Sequence, residues 1–338
     1  MVVKLNRYKI GIVGGSGFVG SSLAMHLSDS FKVKVLDKRP VPNDIRNKVD
    51  FQYCDVRDYN EVKDRVKDVN LIIYTAIVEI PFINEEKRLG YEVNVLGIQN
   101  VCEVVRENES IKGLLLTSTA HVLGDMGFQG VTDEEFGFRF CTKEDRAKYY
   151  TLTKIAQETI VRIYDEMSEK IYGAIRMGTV LGEKMPEKTA ANIFITKGLR
   201  GEAITPYKHS MHRPMFYVDI HDVCEAFRSF ACKILDDEVD KKRKSSTHIF
   251  NLAYPRPVTI LELATIVRDA IVKQTKGEVR PEIKILDEGL PSLYKVGSKG
   301  DTTVNMEKVK RFLGLKKITS PKEAIERIVM RETMKSRR

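Results

Sequence analysis

Tyr8-Lys-Ile-Gly-Ile-Val13 runs directly into Gly14-Gly-Ser-Gly17-Phe-Val-Gly20, and the reading of this stretch decides the fold. A short apolar run passes into three glycines at three-residue spacing, and residues 17–29 then read as a helix. Glycine permits a tight turn and lets backbone approach a ligand, while the helix N-terminus behind it presents positive charge to an anion such as a pyrophosphate. A plain structural turn is the other reading of the same glycines.

Outward from that turn the rhythm repeats. VKVLD (33–37), VDFQYCD (49–55), LIIYTA (71–76), GLLLTS (113–118) and IYGAIR (171–176) read as strands, separated by helical stretches such as 86–107. Near-continuous apolar strands alternating with helices predict an α/β Rossmann fold, a doubly wound parallel sheet covered on both faces. After residue 176 the pattern changes to a helix near 192–200, the run PMFYV, an amphipathic Ile220–Leu235, the strand-like THIFNLA, a helix from Leu261, and terminal helices near 306–313 and 321–330. The expected organisation is a dinucleotide-binding domain over 1–177, to which 215–252 returns, and a smaller C-terminal α/β substrate lobe made of 178–214 and 253–338. No internal repeat or low-complexity linker is visible.

Asp37 closes the second strand about twenty residues after the glycine turn, where a carboxylate accepts hydrogen bonds from an adenosine ribose. It favours NAD, because it would repel the 2′-phosphate of NADP. Lys38 and Arg39 follow at once and offer that phosphate a partner, so NADP is not excluded; a solvated strand end is their bland reading. Asp55 closes the third strand, as a contact for the adenine amino group or as a turn-forming Asp. A second signal is Tyr150-Thr-Leu-Thr-Lys154, which places a phenol and an ammonium on one helix face. A cation beside a phenol favours the phenolate and brings an acid/base toward neutrality. The strand over 113–119 ends in Thr117-Ser-Thr119, at the edge where open α/β sheets place ligands, so Thr119 is expected to bond the oxygen that Tyr150 protonates or deprotonates.

Composition narrows the class. The chain has 338 residues, 42% hydrophobic and 30% charged, with a formal charge of +9. Those values describe a folded protein with a sizeable core rather than a disordered or collagen-like chain. Much of the basic charge lies in Lys241-Lys-Arg-Lys244 and Lys335-Ser-Arg-Arg338, without interleaved aromatics, so nucleic acid is not an expected partner. Five cysteines, Cys54, Cys102, Cys141, Cys224 and Cys232, form no C-x-x-C pair, and neither a disulfide framework nor a metal site is expected. No export signal or membrane span is read, and a reducing cytoplasm is the simplest location.

The order and spacing of Gly14/Gly17/Gly20, Asp37, Asp55, Asn94 in EVNVLGIQNV, Thr119 in TSTAHVLGD, YTLTK, IRMGTVLG and RPMFYVDIHDVCEAF resemble the extended short-chain dehydrogenase/reductases. More narrowly, the chain resembles the NAD-dependent epimerase/dehydratase group, typified by UDP-glucose 4-epimerase-like nucleotide-sugar enzymes. The resemblance implies Tyr150 as acid/base, Lys154 lowering its pKa and holding the nicotinamide ribose, and Thr119 orienting the reacting hydroxyl. It implies a cofactor set of Gly14, Gly17, Phe18, Val19, Gly20, Asp37, Lys38, Asp55, Val56, Thr75, Ala76, Asn94, Thr117, Tyr150 and Lys154. For substrate it implies Thr119, Thr179, Asn192 and Arg213, the last reaching a nucleotide diphosphate; Asn192 reads equally as a helix cap, and Arg213 as a surface residue. A homodimer through the Y-x-x-x-K helix is also implied.

Departures from the family pattern refine this. Ala120-His121 stands where 4,6-dehydratases carry an acidic pair, so that dehydration is not expected. Thr179 replaces an Asn, and Leu123 a Tyr. His121 reads as a second acid/base or as a bystander, and His209 and His212 as pocket residues or as a surface loop. The leading expectation is a UDP-sugar 4-epimerase working through a transient keto intermediate. The alternatives are an NAD(P)-dependent dehydrogenase or reductase of a steroid- or lipid-like alcohol or ketone, and a non-catalytic dinucleotide-binding regulator.

Overall fold

The protein is described by a computed structural model over residues 7–124, 130–140, 147–240 and 246–336. Cys141, the basic run 241–244 and the terminal Arg337-Arg338 lie outside the described residues. The chain begins with β1 (Lys9–Val13), α1 (Phe18–Leu27), β2 (Lys32–Asp37), β3 (Asp50–Tyr53), α2 (Tyr59–Arg65) and β4 (Leu71–Tyr74). It continues through α3 (Phe82–Glu85), α4 (Lys87–Tyr91), a π turn at Glu92–Leu96 and α5 (Gly97–Glu107) to β5 (Gly113–Thr119). Next come β6 (Val131–Thr132), α6 (Lys148–Met167), β7 (Ile171–Met177), β8 (Thr179–Leu181), α7 (Ala190–Leu199), β9 (Pro214–Met215), β10 (Tyr217–Asp219) and α8 (Ile220–Leu235). The last elements are β11 (Ile249–Leu252), β12 (Val258–Thr259), α9 (Ile260–Gln274), β13 (Thr303–Val304), α10 (Glu307–Leu313) and α11 (Pro321–Ser336).

Seven parallel strands form the central sheet in the order β11-β7-β5-β4-β1-β2-β3. The two-residue alternation of strands separates two cores. Ile10 and Ile12 of β1, Ile73 of β4 and Leu115 of β5 face one side with α1 and α8, while Val13, Ile72, Leu114 and Leu116 face the other with α5 and α6. A third core, with Leu181, Phe194, Leu263 and Ile325, holds the lobe built on α7, α9 and α11. α9 is started by a capping box in which Thr259 and Glu262 satisfy each other's backbone amides.

Strand order reverses at β1, which pairs β2 on one side and β4 on the other, so their C-terminal ends open a crevice. All seven expected strands form, including THIFNLA as β11. Two expectations differ. The helix read over 86–107 is broken by the π turn at Glu92–Leu96, where Asn94 is drawn inward by bonds to distant backbone. The stretch 304–318, expected in the substrate lobe, packs instead in the first core through Val304, Met306, Val309, Leu313, Leu315 and Ile318. Its cause is aromatic: Phe312 stacks on Phe250 of β11 at 5.1 Å and meets Phe230 of α8 edge-on at 5.9 Å. Among the described residues no helix is long and apolar enough to cross a membrane, and Cys54, Cys102, Cys224 and Cys232 are free thiols.

Candidate active site

The glycines of the β1–α1 turn have separate reasons. Gly14 has φ +81°, and a Cβ there would lie 2.4 Å from the Ala76 backbone nitrogen. A Cβ on Gly20 would come within 2.5 Å of the Gly14 carbonyl, and one on Gly15, which the sequence reading passed over, within 2.8 Å of Val35. Gly17 is different: its Cβ would meet the Gly14 carbonyl at 3.5 Å and Arg39 Nη2 at 3.8 Å, both ordinary contacts. Gly14 and Gly20 therefore let the turn pack against β4 and α1, while Gly17 keeps an open face. α1 starts at Gly17 with no side-chain cap and no acidic residue in its first turn. That donor set fits an anion, and the open face with Asp37 beside it fits a dinucleotide.

Asp37 ties the turn to β2. Its carboxylate accepts from the Ser16 amide at 3.0 Å and the Arg39 amide at 2.9 Å. Lys38 turns away from it and donates to Asp55 at 3.0 Å, while Arg57 donates to Asp55 through Nη2 at 2.7 Å and its amide at 3.1 Å. The Arg57 guanidinium thereby holds the Asp55 carboxyl well below the usual range. Asp55 is thus an ion-paired carboxylate at the strand end rather than an open acceptor. Thr75 donates its hydroxyl to the Val13 carbonyl, Val56 is buried, and Phe18 and Val19 turn their side chains into the packing, leaving backbone at the turn.

Asn94 also differs from expectation. Fully buried, it accepts from the Val78 amide at 2.7 Å and donates to the Val78 carbonyl and to Thr153 Oγ1, both at 3.1 Å. It brackets the loop after β4 to α6 and offers the crevice little.

Thr119, Tyr150 and Lys154 come together where β5 ends under α6. The Tyr150 phenol is raised by burial and by the charge of Glu79, and its hydrogen bond with Thr119 pulls the other way. Lys154 is buried and donates to the Thr117 carbonyl at 2.8 Å, and burial pushes its ammonium down to about 7, with Glu158 opposing. The amine faces Thr117, and burial is the largest influence on both groups. Thr117 directs its own hydroxyl to the Tyr74 carbonyl at 3.0 Å. The His121 ring meets Tyr150 edge-on at 5.9 Å, and its amide donates to Thr119 Oγ1 at 3.3 Å.

A cavity of about 670 Å³, counted to its open mouth, adjoins this group. Thr119 and His121 line one part, Arg213 and Lys299 supply charge, and Met177, Met215, Phe216 and Pro257 make an apolar wall with Thr179. Arg213 is buried, not the surface residue of its alternative reading. Lys299 is held at the rim by Glu262 at 3.1 Å. Asn192 is absent from the lining; it donates to the Met185 carbonyl at 3.0 Å and accepts from Thr196, and Thr189 rather than Asn192 caps α7. His209 and His212 are likewise outside it. The sequence reading missed Glu79, Ser298, Lys299 and Thr302, none of which sits in a motif, and Glu158, whose signal is its position four residues after Lys154.

Comparison with known proteins sets this geometry in context. The model of the NAD dependent epimerase/dehydratase family matches residues 10–244. A putative UDP-glucose 4-epimerase of Methanocaldococcus jannaschii is 28% identical over 201 residues, which cover 57% of this chain and 63% of that protein. The decarboxylating sterol-4-alpha-carboxylate 3-dehydrogenase of Bos taurus is 31% identical over 181 residues, 52% of this chain and 48% of its own length. A solved UDP-glucose 4-epimerase of Thermotoga maritima with UDP-glucose has the same fold, with TM-score 0.76 and 18% identity over 96% of this chain and 99% of that one.

The contrast among the glycines is testable. Gly17→Ala is expected to keep the melting temperature while weakening NAD binding measured by calorimetry, because its methyl enters only the open face. Gly14→Ala is expected to lose about 1–3 kcal/mol of stability as well, since it strains the backbone against Ala76. Equal loss of stability in both variants would refute the distinction.

Proposed function

The chain belongs to the NAD dependent epimerase/dehydratase family, and from that we propose that it is a nucleotide-sugar epimerase, acting on the sugar 4-hydroxyl of a UDP-sugar. The observation that carries the reading is the cavity itself. Its charged walls, Arg213 and Lys299, are cationic and lie in the same cavity as Thr119, beside the phenol of Tyr150. A nucleoside diphosphate meets that charge, with the buried Arg213 guanidinium suited to paired phosphate oxygens.

The open turn at Gly17, the uncapped start of α1 and Asp37 would hold NAD, with Lys154 on the ribose beside the nicotinamide. A bound nicotinamide supplies the reversible hydride acceptor that such a reaction requires. Tyr150 Oη takes the proton of the sugar hydroxyl and later returns it. Thr119 Oγ1 bonds the same sugar oxygen and keeps it within reach of the phenol. Turnover of the keto sugar between the two proton transfers inverts the carbon.

The apolar wall of Met177, Met215 and Phe216 supports a second reading, net oxidation of a lipid-like alcohol. The two differ in how they treat cofactor. An epimerase regenerates its own cofactor and keeps it, so protein denatured after purification is expected to release stoichiometric NAD, identified by mass spectrometry. Protein that is released empty and reduces added NAD with a steroid alcohol would transfer the assignment to the dehydrogenase.

Arg213→Ala is expected to weaken UDP binding about 10- to 100-fold in calorimetry, as loss of a charge-assisted contact does. Tyr150→Phe is expected to cut turnover of UDP-glucose by about 10²- to 10⁴-fold while leaving NAD binding intact. Unchanged UDP affinity in the first variant, or unchanged turnover in the second, overturns the corresponding role.

We also propose a homodimer. Tyr149, Leu152, Ile163 and Met167 on α6, and Leu96 at the start of α5, are exposed apolar side chains on adjacent helices. Sedimentation is expected to give a dimer for the protein and a monomer for Leu152→Glu combined with Ile163→Glu; a monomeric parent protein refutes it.

A further inference from the structure

Along α6 the residues at successive steps of four from Tyr150 are Lys154, Glu158 and Arg162. Each such step places a side chain one turn beyond the last on neighbouring helix surface. Glu158 is fully buried. Its carboxylate accepts from Ser118 Oγ at 2.7 Å, from Arg176 Nε at 3.1 Å and from Arg176 Nη2 at 2.8 Å, and Arg162 Nη2 approaches it at 3.4 Å. Ser118 lies between Thr117, whose carbonyl takes the Lys154 amine, and Thr119. Two guanidiniums, Arg176 and Arg162, therefore gather on one buried carboxylate, which follows Lys154 by one helical turn. Arg176 Nη1 and Arg162 Nε find no hydrogen-bond partner among the described residues, and both guanidiniums lie over the Phe138 ring, at 5.6 and 4.8 Å.

We propose that Glu158 is a positioning residue for the proton-transfer pair, its carboxylate keeping Lys154 in the ammonium form against burial and against the neighbouring guanidinium groups. This rests on the reading that Lys154 works beside Tyr150. A neutral amine at that place brings no charge to the phenol or to a ribose hydroxyl, so the charge state of Lys154 decides what it can do.

Of the charged groups here Glu158 bears directly on Lys154, and the others act on the arginines or on the phenol. Burial pushes the Lys154 ammonium down to about 7, and Glu158 resists. Arg162 is lowered by burial and by Arg176, again opposed by Glu158, with Glu135 acting the same way. Glu134 and Lys308, packed behind Arg176, feel its charge. Glu79 acts on Tyr150 from the loop after β4. The sign follows directly: Lys154 is charged below its midpoint and neutral above it. Loss of the Glu158 charge lowers that midpoint, and loss of a neighbouring positive charge raises it.

The test is a titration of Lys154 in the full chain, followed by nitrogen NMR of ¹⁵N-lysine-labelled protein, the resonance being assigned by its loss in Lys154→Met. Glu158→Gln is expected to lower the midpoint by about one pH unit, and Arg162→Met, a turn farther from Lys154, to raise it by less. Ser118→Ala, which removes a hydrogen bond and no charge, is expected to move it far less than either. A purely structural role for the cluster does not produce shifts of opposite sign. An unchanged or lowered midpoint in Arg162→Met overturns the proposal, and that variant leaves the Glu158–Arg176 pair in place should Glu158→Gln fail to fold. The titration needs no substrate, so its failure leaves the nucleotide-sugar reading standing, and failure of UDP binding leaves the titration unmoved.

Discussion

The ion pair of Glu158 with Arg176 joins α6 to β7 beneath the helical cover of the sheet, and Ser118 ties the same carboxylate to β5. Such a pair is a poor source of net stability, because desolvation offsets much of the attraction. Losing one partner is another matter, at about 3–5 kcal/mol, since a charge is then left buried alone. The pair acts as a constraint: one rotation of α6 about its axis satisfies it and others do not. At that rotation Lys154 reaches the Thr117 carbonyl, Tyr150 reaches Thr119, and Thr153 receives Asn94. Asn94 in turn fixes Val78 and the loop that carries Glu79. The site is a consequence of where one carboxylate is anchored.

The same dryness that makes the anchor strong works against the ionised forms on which proton transfer depends. Tyr150 is raised and Lys154 lowered, both chiefly by burial. Each is thus nearer its neutral form than it would be in water. Electrostatic effects are also larger in that medium, so one added or removed charge moves these groups further than at a surface.

Strands were readable because both faces of the sheet are covered, which gives unbroken apolar runs such as LIIY (71–74) and LLL (114–116). The glycine turn, Asp37 and Tyr150–Lys154 were readable because local geometry dictates their spacing. What escaped depends on contacts remote in sequence. Asn94 looked like a helix residue facing a ligand, but Val78 and Thr153 draw it inward and break the helix into a π turn. Asn192 reads from sequence as a contact or a cap, yet Thr189 caps the helix and Asn192 turns back to Met185. The return of 304–318 to the first core hinges on Phe312 finding Phe230 and Phe250, which no periodicity in its own helix reveals.

The cavity divides along the same line. Thr119, His121, Thr179, Arg213 and Phe216 lie within the stretch matched by the family model, 10–244, whereas Pro257, Ser298, Lys299 and Thr302 lie beyond it. The family match therefore covers the turn, the phenol and the buried arginine, and does not reach Pro257, Ser298, Lys299 and Thr302. This explains how a putative UDP-glucose 4-epimerase and a sterol dehydrogenase are both relatives at about equal identity over partial lengths. On the proposed reading, taking a proton from an alcohol oxygen and a hydride from its carbon makes the same demands in either case, and Thr119 of β5 and Tyr150 of α6 would meet the demand for the proton. On that reading it would be the balance of Lys299 and Arg213 against Met177, Met215 and Phe216 that tells a diphosphate from an apolar skeleton. In this chain the guanidinium is buried among those apolar groups. A guanidinium there presents a planar fork of donors, the geometry that pairs with phosphate oxygens.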